Sequence, residues 1–206
     1  MQVLCLGAHC DDIEIGCGGS LLQMVKGGGG IHVKWVVFTS NSKRKVEAQK
    51  AAEDFLRNVK NKEIVILDFK DGFLPHSGSE VKAYFEKLKE NFSPDLIFTH
   101  YSKDAHQDHR LINELTWNTF RNHYILEYEI PKYDGDMGSP STYIPIDQDM
   151  VNEKIRLIEK NYPTQAGKQW FDDETFRAIM RIRGMESVSE TKYAEGFYTR
   201  KTVLKV

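Results

Sequence analysis

The chain has 206 residues, 28 Lys and Arg against 30 Asp and Glu, a formal net charge of −2 and 40% hydrophobic residues. That is enough chain for one domain with a sizeable core, and acids and bases are spread along it, so neither a basic nucleic-acid surface nor a polybasic membrane tail is expected. No stretch approaches 18 consecutive apolar residues, the start "MQVLCLGAH" lacks the basic region and long apolar run of a signal peptide, and three cysteines (Cys5, Cys10, Cys17) at spacings unsuited to a thiolate zinc site predict reduced thiols in a cytoplasmic protein.

In chain order, "QVLCLGA" is a short apolar run that predicts a buried first strand. "GGSLLQMVKGGGG" predicts a small helix stopped by glycines. "IHVKWVVFTS" is strand-like, rich in β-branched and aromatic residues. "SKRKVEAQKAAEDFLRNV" has helical periodicity, with Val46, Ala51, Phe55 and Val59 expected near one face. "EIVILDF" predicts a third strand, "SEVKAYFEKLKENF" a helix begun by a Ser cap, "DLIFTH" a fourth strand and "DHRLINELTWNTF" the helix after it. Short strands alternating with helices predict an open, mostly parallel sheet covered on both faces. Residues 133–149, "YDGDMGSPSTYIPID", break the pattern and read as an ordered surface loop at a pocket rim. Helices are expected near Met150–Tyr162 and Glu174–Glu186, and "GFYTRKTVLKV" predicts a closing strand.

In such a sheet ligands bind outside the carboxyl ends of the strands. Two segments put polar residues there: "AHCDD" after the first strand and "THYSKDAHQDHR" after the fourth. Together they hold four of the seven histidines, and they supply His9, Asp11, Asp12, His100, Asp104, His106, Asp108 and His109. Singly, each has an ordinary role: a histidine at a strand end makes structural hydrogen bonds, and paired aspartates in a turn cap a helix. Two such clusters on one edge suit a divalent metal of the zinc or iron type, which makes adjacent carboxylates tolerable. Two ligand sets stay open on spacing. His9-x-Asp11 with His109 copies the two-His-one-carboxylate site of iron oxygenases, whose all-β fold this alternation does not match; His9-x-x-Asp12 with His109 is the other.

"AHCDDIEIGCGG" resembles the AHPDD-x-x-x-G-x-GG signature of the LmbE-like, PIG-L-type N-deacetylases, and "DAHQDH" resembles that family's D-x-H-x-D-H. Weaker echoes are "RKVEAQKAA", "KDGFL", "YPTQ" and "YAEGFYTRK", so the likeness runs almost the whole chain. The resemblance implies a Rossmann-like, three-layer α/β/α fold with a mostly parallel sheet, in a single domain over 1–206. It implies zinc, or Fe2+ or another divalent metal, on His9, Asp12 and His109. Asp11 would be the general base, His106 would stabilise the oxyanion or protonate the leaving amine, and Asp108 would orient an imidazole. Arg44 and Asp71 fall at substrate-contacting positions, with Gln165 and Tyr133 as further candidates. The implied activity is removal of the N-acetyl group from a sugar or small sugar conjugate, and homo-oligomers are common in the family. Hydrolysis of another small amide, or a sugar- or nucleotide-binding module without catalysis, are the alternatives. Two departures stand out. Cys10 replaces the usual Pro, and "TSNSKRK" replaces a Gly- and Glu-bearing loop that often meets substrate.

Overall fold

The computed structural model describes residues 1–26 and 30–203. Five strands alternate with four helices: β1 (Gln2–Gly7), α1 (Asp12–Lys26), β2 (His32–Thr39), α2 (Ser42–Phe55), β3 (Asn61–Phe69), α3 (Gly78–Asn91), β4 (Leu96–His100), α4 (Gln107–Thr119) and β5 (Tyr124–Tyr128). Then come β6 (Thr142–Pro145), α5 (Gln148–Asn161), α6 (Asp173–Glu186) and β7 (Ala194–Tyr198). The strands form one sheet in the order β3-β2-β1-β4-β5-β7-β6. β1 to β5 are parallel, and β7 runs antiparallel to both of its neighbours.

Alternation along β1 divides the core. Val3 and Cys5 face the side covered by α1, α2, α5 and α6, while Leu4 and Leu6 face the side of α3 and α4. All four are fully buried. A strand covered on both faces has no polar side, which is why "QVLCLG" reads as a continuous apolar run. The order places β1 beside β4 while their following helices lie on opposite faces. This is the switch point at which such sheets open a crevice.

Several expectations need correction. α1 starts at Asp12, six residues before the expected helix, so its glycines lie inside a helix. The reason is close packing: a Cβ on Gly16 would meet the Tyr128 ring at 2.1 Å, and one on Gly18 would meet Phe55 at 2.7 Å. In α2 the buried face is Ala48, Ala51, Ala52 and Phe55; Val46 is 68% exposed, and Val59 is buried beyond the helix end. α3 begins at Gly78 with Ser77 at its cap position, and no side-chain cap bond is made. β5 and β6 were not foreseen: "YILEY" is a strand, and residues 142–145, inside the expected loop, form the sheet edge against β7. The glycine stop of α1 and the last residues of the expected closing strand fall on 27–29 and 204–206, outside the described residues.

One buried ion pair ties the C-terminal part to the first helix. Lys154 Nζ lies 2.6 Å from Glu195 Oε1, both almost fully buried. The Glu195 carboxylate also accepts Gly19 N–H, Ser20 N–H and Ser20 Oγ–H at 2.8, 2.8 and 2.6 Å, and Lys154 donates to the Ile15 carbonyl at 2.6 Å. Removing one partner of such a pair leaves an uncompensated charge. Lys154→Met is therefore expected to cost about 3–5 kcal/mol in urea unfolding, and Lys154→Met with Glu195→Gln to recover part of it; an unchanged midpoint for the single variant would refute the assignment.

A surface pair sets a pH dependence. Glu153 accepts from Arg156 at 2.8 Å and from Arg57 at 2.5 Å. The Arg156 hydrogen bonds, with Arg57 adding and partial burial opposing, hold its pKa down to about 2. Its contribution is complete above the ordinary glutamate value of about 4.3 and is lost as pH falls toward 2. Glu153→Gln should flatten the acid limb of stability in that window and cost under about 1 kcal/mol at neutral pH, the pair being solvent-screened; melting temperatures between pH 2 and 7 check this.

Candidate active site

The loops leaving β1 and β4 meet in the crevice between those strands. His9 Nδ1 and His109 Nε2 lie 3.0 Å apart. Asp12 Oδ2 stands 3.4 Å from the first and 3.5 Å from the second. The far nitrogen of each ring is held by carboxylates. His109 Nδ1 donates to Asp104 Oδ2 at 2.9 Å, and His9 Nε2 lies 3.2 Å from both Asp108 and Asp71. These partners fix the tautomers of the neutral rings, in which the two facing nitrogens carry lone pairs directed at one point with a carboxylate oxygen. Four ligands at about 2.0 Å on a tetrahedral ion stand about 3.3 Å apart, which is the spacing of this trio. The donor set fits a divalent cation of the zinc type.

Other groupings of donors close enough for a metal are His9, His106 and His109; Asp12, His100 and His109; and His9, Asp71 and Asp108. In the second, His100 Nε2 already accepts the Ala8 N–H at 2.9 Å, and its ring stacks on His109 at 3.9 Å. In the third, the carboxylates serve the outer nitrogen of His9. Asp108 is further fixed by Gly72 N–H at 2.8 Å and Leu74 N–H at 3.1 Å.

Asp11 separates the two ligand candidates of the first loop. Its φ is +107°, a region that few residues other than glycine adopt, and its carbonyl accepts Ile15 N–H at 3.0 Å to open α1. This twist lets His9 and Asp12 face the same point while the Asp11 carboxylate faces Arg44, whose Nη2 lies 3.0 Å away. Arg44 also donates to the Cys10 carbonyl and spans to Thr164 Oγ1 at 3.4 Å. Burial raises the Asp11 pKa to about 6, with Arg44 opposing and Asp12 adding. Burial would also raise Asp12, but His109, His100 and His9 hold it well below the usual carboxylate range. Burial brings His109 down to about 4, a neutral ring. Burial opposes charge on His9 as well, yet Asp12, Asp108 and Asp71 outweigh it and put its pKa well above the ordinary value. A proton on His9 and a cation between the three donors answer the same negative surroundings, so one displaces the other.

His106 caps α4, its Nδ1 accepting the Asp108 N–H at 3.2 Å, which leaves Nε2–H as the ring's donor. Burial keeps this ring neutral by lowering its pKa, with His9 adding. His9, Asp11, Asp12, His106, His109, Arg44 and Asp71 all line one open cavity of about 440 Å³. Of the weaker candidates, Gln165 lines it, whereas Tyr133 is 70% exposed and outside the lining. The remaining wall comes from Asn41 and Lys43, from Ile130 and Lys132, and from the 162–171 loop through Thr164, Lys168 and Trp170. The segment 133–149 reaches the site through Asp136, which accepts Ala105 N–H at 2.6 Å and Lys132 Nζ–H at 2.5 Å.

Sequence reasoning left Asp104 and Lys132 without roles. Asp104, the first letter of "DAHQDH", holds His109 and the His106 N–H and is held by Lys132 at 3.0 Å. Its motif position was the available signal. Lys168 and Trp170 carried none, being brought in only by the chain's return after α5.

Residues 4–120, more than half of the chain, match the family described as PIG-L: GlcNAc-PI de-N-acetylase. The chain belongs to the PIG-L family. It is accordingly an N-deacetylase by class, a hydrolase of an amide C–N bond. An uncharacterized deacetylase of Escherichia coli K12, YaiS, is 27% identical over 168 residues, covering 77% of this chain and 89% of its own. The fold is shared with the N,N'-diacetylchitobiose deacetylase of Pyrococcus horikoshii, at a TM-score of 0.68 and 21% identity over 96% of this chain and 83% of the other. It is shared equally with GalB, the 4-carboxy-2-hydroxymuconate hydratase of Pseudomonas putida, at 0.74 and 16% over 100% and 98%. PIG-L architecture thus carries a hydratase too, and the reaction is decided by side chains at the crevice.

Cys10, in place of the family's proline, is 2% exposed and donates to the Thr39 carbonyl at 3.4 Å. Burial pushes its thiol up to about 12, with Arg44 opposing. Cys5 and Cys17 are fully buried. None of the three thiols should react with a disulfide reagent such as DTNB at pH 8 in the folded protein, and all three should react in guanidinium; prompt native labelling of one equivalent would show a reactive Cys10.

Proposed function

We propose that this PIG-L chain is a zinc-dependent deacetylase of an N-acetylated sugar or small sugar conjugate, working as a single domain in the cytoplasm. The observation that carries it is the trio of His9 Nδ1, Asp12 Oδ2 and His109 Nε2 within 3.0–3.5 Å, each ring tied from behind by carboxylates. The acetylated-sugar class follows the family description and the chitobiose deacetylase of the same fold. The cytoplasm is favoured by three buried free cysteines, and among the described residues no helix is long and apolar enough to cross a membrane.

His9, Asp12 and His109 would hold the metal, which when bound acidifies a water and polarises the amide oxygen. Asp11, off the metal and oriented by Arg44, takes a proton from the attacking water as the water oxygen bonds to the acetyl carbon. His106 presents Nε2–H to the oxygen that gains charge. The C–N bond then breaks, nitrogen takes the proton, and acetate and a free amine leave. Asp108 and Asp104 keep His9 and His109 in the required tautomers, a role whose loss typically costs about 10–100-fold in metal affinity or activity. Arg44 and Asp71 flank the reacting group as substrate contacts. Hydrolysis of another small amide would use the same groups, and substrate tests separate the two.

The test couples metal content to amine release from a panel of N-acetylated sugars. Wild type should bind one metal per chain and release amine and acetate. Asp12→Ala should lose the metal. Asp11→Asn should keep it and lose about 10²–10⁴ in turnover. Metal loss in Asp11→Asn would move Asp11 into the ligand set, and full metal in Asp12→Ala would sink the assignment.

A further inference from the structure

A second cavity, of about 580 Å³, lies beside α4 and shares no lining residue with the active-site cavity. That volume is within the range of small-molecule sites. Its walls carry four cations drawn from three segments: Arg110 on α4, Arg121 just after it, and Arg200 and Lys201 after β7. All four are exposed, and Glu114 is the one acid among the lining residues. Among the described residues, Arg110, Arg121 and Lys201 have no carboxylate within ion-pair distance, and Arg200 has only Glu127, at 3.8 Å. Glu127 is 2% exposed and already accepts Ser102 N–H at 2.8 Å and Trp117 Nε1–H at 2.6 Å.

The cations are held in place by neutral partners. Arg110 donates from Nη1 to the Asp104 carbonyl at 2.9 Å and to the Ala105 carbonyl. Arg121 Nε donates to the Asn118 carbonyl at 3.1 Å, and Lys201 Nζ to the Arg121 carbonyl. Arg200 lies over the Trp117 indole, its guanidinium carbon 4.5 Å from the ring centroid. Carbonyls and an aromatic face fix these groups without cancelling their charge, and each guanidinium keeps donors to spare. Four like charges around one concavity repel one another until an anion is shared among them, and guanidinium forks match the oxygens of a phosphate group. The lining offers no apolar patch for a lipid or a hydrophobic peptide: Trp117, its one large apolar side chain, is 9% exposed and lies under Arg200.

We propose that this cleft is a binding site for a phosphorylated small molecule, separate from the hydrolytic centre, with Arg110, Arg121, Arg200 and Lys201 around the phosphate and Glu114 as the opposing charge. Its test needs no turnover and is independent of the deacetylase reading.

The chain has three tryptophans, and they report on three places: Trp117 in this cleft, Trp170 in the active-site cavity and Trp35 fully buried in the core. In ¹⁵N-labelled, zinc-loaded protein, with indole signals assigned through Trp117→Phe and Trp170→Phe, inorganic phosphate and glucose 6-phosphate are titrated against neutral glucose. At least one phosphate compound should move the Trp117 Nε1–H signal saturably, with a Kd of about 1 mM or tighter, and leave Trp35 still; glucose should move neither. Affinity should fall between about 50 and about 500 mM NaCl. Arg121→Gln/Arg200→Gln should weaken it about tenfold or more, because charge-assisted contacts are lost. Glu114→Gln should tighten it about twofold, whereas Glu174→Gln, an equal charge change at an exposed position of α6, should leave it unchanged. Calorimetric Kd values for the same variants check the affinities without relying on the indole signal. A Trp117 response that never saturates means an adventitious ion only and overturns the site. So does a response at Trp170 alone, or an affinity indifferent to the double variant.

Discussion

Adjacent parallel strands β1 and β4 send their chains to opposite faces of the sheet, and everything functional depends on the gap this opens. No crossover can fill the space at their carboxyl ends, so the two departing loops face each other across it. One loop brings His9, Asp11 and Asp12, and the other brings Asp104, His106, Asp108 and His109. The sheet therefore joins residues about a hundred positions apart, and only rigid, doubly covered strands can hold donor atoms to within 3.0–3.5 Å of one another.

Polar groups behind the site keep that convergence from relaxing. Asp104 and Asp108 restrain the rings of His109 and His9; Asp11 takes up a strained backbone conformation at its place between His9 and Asp12. A further chain lies beneath Asp11. Arg44 stacks over the Tyr162 ring with its guanidinium carbon 5.2 Å from the centroid, and the Tyr162 hydroxyl donates to Glu14. Burial raises Glu14 to about 8, so it is a neutral acid below that pH. Burial thus acts at two depths: at the crevice it raises the Asp11 carboxyl to about 6, and one layer deeper it keeps Glu14 protonated at neutral pH.

Much of this was legible in the residues. Strands β1, β2 and β4 announced themselves because burial on both faces demands apolar, β-branched runs such as "HVKWVVFT", and the edge strand β3 because its middle, "IVIL", is β-branched and apolar. The crevice residues announced themselves because histidines and aspartates cluster at two strand ends. What could not be read was long-range. Where α1 begins, and which rings press on its glycines, could not be read locally, because Tyr128 and Phe55 lie far away in sequence. β6 is four residues long and carries a proline at its end, an edge strand legible only through its partner β7. Lys168 and Trp170 looked like loop residues because nothing local says which cavity a loop returns to. The pairing of Asp104 with His109 lay within a recognisable motif, yet the choice between Asp104 and Asp108 as partner of a given ring needed three dimensions.

The carboxylate that Glu195 lends to the middle of α1 has a consequence in time. The helix that opens with Asp12 is made early in synthesis, but the groups that complete its interior, Lys154 and Glu195, are made late. A nascent chain that has already exposed the loops after β1 and β4 still lacks the clasp on the helix that follows the first of them. That clasp cannot close until α5 and β7 have both been made and the last strand of the sheet has docked, so the first helix formed is among the last to gain its interior partners.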